Sequence, residues 1–142
     1  MAANGFEFQS ELARAIAFQM AYMSATAQAL EDFLSGLAKD NLSEIRREGL
    51  RQMRLGSVEA IAAFALFIRS PRLSDASREI VAKALARHAA TPARSIQPAD
   101  RLANAANARA SLPALNAAAR TNVETFIAAM SDPGCEALCA IP

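Results

Sequence analysis

One histidine, two cysteines and a short run of arginines are the side chains of this sequence with the plainest chemistry. His88 stands alone, and that count removes several reactions. A di-iron bundle needs two Glu-x-x-His pairs, whereas the residue three before His88 is Leu85. HExxH zinc chemistry fails for the same reason. A Ser–His–Asp hydrolase would want a serine in a G-x-S-x-G turn, and none is present. A lone histidine late in a helix can serve as a proximal haem ligand, so haem is kept as a minor cofactor reading. Against it, Ala84 rather than leucine lies four residues before. A histidine at a helix C-terminus is also favoured by the helix dipole without any ligand.

Cys135 and Cys139 are spaced C-x-x-x-C, which differs from the C-x-x-C of redox and zinc knuckles. With one histidine, four zinc ligands cannot be assembled around them, and no metal is expected. The pattern reads as two small apolar residues that dock the tail together with Leu138 and Ile141. Pairing with each other or with a second chain is the alternative.

Arg47, Arg51 and Arg54 form one stripe at helical spacing, with Arg46 alongside. Such a stripe could grip a phosphate or a carboxylate-rich partner. Its plain reading is a solvated face on which Glu44 and Glu48 pair with arginines three or four residues on. Met20, Met23 and Met53 with Phe64 and Phe67 could line an adaptable apolar pocket, since methionine suits irregular cavities. At helical spacing, Met and Phe more commonly make plain core.

The elements that must position these residues are helices. Alanine makes up about a quarter of the 142 residues, and it enters a helix at no side-chain entropy cost. β-Branched residues are few and nowhere alternate with polar ones, so no strand is predicted. Ile16, Met20, Met23, Ala27, Leu30, Leu34 and Leu37 recur at spacings of four and three, a heptad seam. The first helix is expected over 11–38, capped by Ser10 with Glu11 in its first turn. Phe33 and Tyr22, with Phe18 beside Tyr22, are read as widening that stripe toward a bundle core.

A second helix is expected over 42–69, opened by an Asn41/Glu44 capping box. Gly56 and Ser57 mark a kink or a fresh N-cap within it, between an arginine-rich half and the apolar half Val58 to Ile68. That apolar half is read as the partner of the first helix. Pro71 ends the second helix. A third helix is expected over 75–90, capped by Ser74 or Asp75, and Thr91 to Gln97 reads as a loop. The fourth is expected over 98–131 and is either bent at Pro113 or broken there with Ser111 as a new cap. Connections are short, so successive helices should be antiparallel neighbours. The prediction is an all-α, up-and-down bundle of four principal helices in one domain spanning 1–142, with 1–9 and 132–142 as tails.

Function follows only by class. A net charge of +1 makes nucleic acid an unlikely partner by electrostatics alone. No apolar run approaches the roughly 20 residues of a membrane span, and no leader pattern opens the chain, so a cytoplasmic protein is expected. The primary expectation is a non-enzymatic helical interaction protein that acts through apolar packing surfaces, as a homo-oligomer or a subunit of a larger assembly. Binding of a hydrophobic small molecule or haem in the bundle is the alternative. Regulatory binding of nucleic acid or an acidic partner through the arginine stripe is the second alternative.

Overall fold

A computed structural model describes the backbone of residues 2–35, 43–94 and 96–131, and the side chains within those ranges except 2–9 and 34–35. The described residues form these α-helices: α1 Ala2–Ser35, α2 Glu44–Ile68, α3 Asp75–His88, the single turn α4 Ala90–Ala93, α5 Pro98–Ser111 and α6 Ala117–Ser131. The fold is an all-α helical bundle, with five long helices among the described residues where the sequence pattern suggested four.

Helix ends follow local chemistry. The Ser43 hydroxyl accepts from the Arg46 N–H at 3.3 Å, and the Ser74 hydroxyl accepts from the Ser77 N–H at 3.2 Å. Both satisfy donors that a helix start leaves open. Ser43 therefore opens α2, while Asn41 lies outside the described residues. Ser10 is not a cap. α1 begins at Ala2, because residues 2–9 contain no proline and a helix tolerates Gly5 at a cost of about 1 kcal/mol. The residues expected to form an N-terminal tail are thus part of α1, and 132–142 lie outside the described residues. α2 runs unbroken through Gly56 and Ser57. Glycine weakens a helix but, unlike proline, keeps its N–H in the ladder.

α3 stops at His88, and the expected loop from Thr91 contains most of the turn α4. Pro113 does break the fourth predicted helix. α5 ends at Ser111, a 3₁₀ turn covers Leu112–Ala114, and α6 starts afresh at Ala117. Ser111 is not the cap of that new helix; its buried hydroxyl donates to the Ala108 carbonyl at 2.6 Å. The cap is Asn116, whose Oδ1 accepts from the Ala119 N–H at 3.0 Å.

Packing departs from the nearest-neighbour order. α1 lies along α3 and touches α4, α3 lies along α6, α6 along α5, and α5 along α2. The segment Val58 to Ile68 shares the core with α1, but α2 packs chiefly on α5, so it is not the principal partner of α1. α3 offers α1 a better fit, with Ala82 and Ala84 beside Val81 and Leu85, all buried. Small residues allow close approach between helices while larger ones fill the seam. The centre of the core is built by Met20, Ile61, Val81, Leu85, Val123 and Phe126.

Candidate functional site

α1 carries apolar side chains on two opposite faces. Ala13, Ile16, Met20 and Ala27 are buried in the bundle. Phe18, Tyr22 and Phe33 are 74%, 67% and 57% exposed, and the alanines at 15, 25 and 29 are exposed between and beside them. Each residue advances about 100° around a helix, so Phe18 and Tyr22, two positions either side of Met20, lie about 160° from it. They cannot widen the inward stripe, as the sequence pattern suggested; they build a second one facing away. Phe33 keeps one interaction within the chain: the Arg46 guanidinium carbon sits 5.5 Å from its ring centroid, a cation–π contact with α2. This exposed apolar stripe is the candidate docking surface of the molecule.

The arginine stripe of α2 does not behave as one solvated face. Arg51 is held by Glu48 at 2.7 Å, three residues before it as the spacing suggests, and also by Glu44 at 3.0 Å, a full seven residues before it. Arg46 is exposed and engaged with Phe33. Arg47 is half-buried, and its Nε finds no hydrogen-bond acceptor among the described residues. Arg54 is only 7% exposed, and desolvation lowers its pKa below the usual arginine value. It belongs to the buried register Leu50, Arg54, Ser57, Ile61 of α2. Across from it, α5 buries Arg101 and Asn104. The α2–α5 contact therefore holds an unusually polar layer. At its edge Arg51, Arg54, Leu55 and Val58 meet Gln97 and Asp100 around an open groove of about 280 Å³.

The other sequence candidates are distributed through the molecule. Met20 and Phe64 are buried in the core, and Met23 and Phe67 pack against it half-buried. Met53 is half-buried and outside that cluster. His88 is half-buried in the last turn of α3, beside Arg87, where a cation suits the helix dipole. None of these six residues lines the groove between α2 and α5. Among the described residues no cluster of three or more His, Cys, Asp or Glu side chains could hold a metal ion. Cys135 and Cys139 lie outside the described residues. No described helix is long and apolar enough to cross a membrane.

Two features were missed by the sequence reading. The outward stripe was read as part of the inward one, although a helical wheel separates the two faces. The polar layer around Arg54 carried no such signal, because charge pattern assigns arginines to the surface. Compared with protein-family models, with curated proteins and with solved structures, the chain matches none of them.

Proposed function

We propose that this protein is a non-enzymatic helical interaction protein that self-associates through the outward face of α1, either as a homodimer or within a larger assembly. The observation that carries this reading is the exposure of Phe18, Tyr22 and Phe33 on a helix whose opposite face is already committed to the core. Burying a large apolar side chain is worth roughly 1.5–3 kcal/mol. Six half-exposed aromatics across a symmetric pair therefore supply a gross gain on the order of 5–10 kcal/mol. Part of this offsets the entropy of association, which leaves a complex of moderate affinity. The α2 arginines support this reading indirectly. Arg51 is committed to Glu44 and Glu48, and Arg54 is buried, so two of the four are poorly presented to a phosphate backbone.

Sedimentation equilibrium tests the proposal. The wild-type chain should show an average mass above that of one copy at about 100 µM, rising with concentration, as expected for roughly 5 kcal/mol of net binding. Phe18→Glu with Tyr22→Glu should run as a monomer with unchanged helical circular dichroism. A wild-type monomer at ten times that concentration would rule the reading out.

A further inference from the structure

The outward face of α1 has a direction. From its N-terminal side it presents Ala15, Phe18, Tyr22, Ala25 and Ala29, with the large side chains first and the small ones after. These positions repeat at three and four, as the seam of a helix pair does. Resting on the self-association proposed above, we infer that two copies of α1 pair antiparallel about a two-fold axis passing near Met23 and Ser24. This register sets Phe18 against Ala29 of the second copy and Tyr22 against Ala25 of the second copy.

Shape selects this arrangement. A symmetric parallel pair brings like residues together: Phe18 to Phe18 and Tyr22 to Tyr22 at one end, Ala25 and Ala29 to themselves at the other. The helices would have to stand far apart at the aromatic end and close together at the alanine end, which leaves a void along a straight pair. In the antiparallel register the four central layers each hold one aromatic and one alanine, so the interaxial distance there is uniform. The interface is also self-complementary, as a two-fold axis requires.

Charge points the same way. Arg14 is exposed at one end of the stripe, and Asp32 and Phe33 are exposed at the other. The antiparallel register brings Arg14 beside Asp32 and Phe33 of the second copy, an ion pair and a cation–π contact in reach of one guanidinium. The parallel register would instead set Arg14 against Arg14 and Asp32 against Asp32. Glu11, four residues before Ala15 on the same stripe, would likewise face Glu11 in the parallel register, whereas in the antiparallel one it passes the end of the second copy's α1. With three aromatics each offering more than half of a 150–250 Å² surface, and with the alanines and flanking stems added, the two faces bury on the order of 1,000 Å². That is enough for a specific, reversible dimer.

Spin-label distances separate the outcomes. Leu12→Cys and Thr26→Cys, both at exposed positions beside the stripe, are labelled one at a time in a chain carrying Cys135→Ser and Cys139→Ser, which leaves Arg14 in place. The antiparallel register separates the two residues 12 by about 35 Å along the axis and the two residues 26 by about 8 Å. The inferred pairing is therefore a distribution near about 35 Å for the first label and below about 20 Å for the second. Short distances at both sites would show a parallel pair, which overturns this register while self-association stands. Absence of any dipolar coupling, together with a monomer mass for the unlabelled wild type, would overturn both.

Discussion

Asn116 joins two helices through one side chain: its Nδ2 donates to Glu79 Oε1 at 2.7 Å, and its Oδ1 accepts from the Ala119 N–H at 3.0 Å. The first bond reaches α3 and the second caps α6, so a single amide fixes how α6 starts and what it leans on.

Asn116→Ala should lose both bonds and destabilise the fold by about 1.5–3 kcal/mol, read from the midpoint of urea unfolding. Asn116→Asp is the sharper test. It retains the cap acceptor but sets a second carboxylate against Glu79, so at pH 7 it should be nearly as damaging. The new carboxyl binds its proton more tightly in the folded protein than in the unfolded chain. Its penalty is therefore fully present at neutral pH and shrinks as the pH falls through about 5. A penalty independent of pH would show that the two side chains do not meet.

Arg78 spans the turn between α2 and α3. It donates from Nε to the Ile68 carbonyl at 3.1 Å and from Nη2 to the Ser70 carbonyl at 2.6 Å, and its Nη1 meets Asp75 at 3.1 Å. The Arg78 side chain is only 12% exposed, so its two bonds to carbonyls are partly shielded from water, whereas the Asp75 carboxylate is 65% exposed. Arg78 supplies a donor to the Ile68 carbonyl, one of those a helix end leaves open, while the Ser70 carbonyl also accepts from the Leu73 N–H at 3.2 Å. Arg78→Ala should cost about 2–3 kcal/mol, and Arg78→Lys should recover less than half, because an ammonium cannot reproduce the three-way fork. Chemical denaturation of both variants decides it, and full rescue by lysine would sink the geometric argument.

Asn104 presents the opposite situation. It is 2% exposed, and its amide nitrogen has no hydrogen-bond acceptor among the described residues. A buried, unpaired polar group carries a desolvation cost of about 1–3 kcal/mol. Asn104→Ala trades a small loss of packing for relief of that cost, so stability should be unchanged or raised by up to about 1 kcal/mol. A thermal melt lowered by several degrees would mean that the amide does have a partner.

The helical class, the position of each long helix and the inward seam through Ile16, Met20 and Ala27 were all legible in the sequence, because they follow from local periodicity. So was the interruption at Pro113, which depends only on the missing N–H and the ring. Three features were not. The start of α1 was placed too late because Ser10 resembles a cap, and nothing before it actually breaks a helix. Asn116 was hidden among alanines, where a cap has no amphipathic contrast to announce it. The pairing of α1 with α3 is non-local and depends on which faces have small residues in the right register. Of the candidate surface, Phe18, Tyr22 and Phe33 were noticed as apolar, but their direction was misjudged. Arg54 illustrates the limit of charge pattern, since its register with Leu50, Ser57 and Ile61 outweighs its charge.

The placement of α1 against α3 and α4 has a consequence for synthesis of the chain. The last residues of α1 are made 58 residues before α3 and α4 are complete, at Ser35 against Ala93. At about 5–20 residues per second, α1 waits roughly 3–12 s for the surface that will cover its inner face. During that interval both of its apolar faces are open. Under the proposed self-association, a neighbouring nascent chain carrying the same helix would already present the surface that the outward face pairs with, so assembly of two copies would begin on the polysome before either bundle has closed.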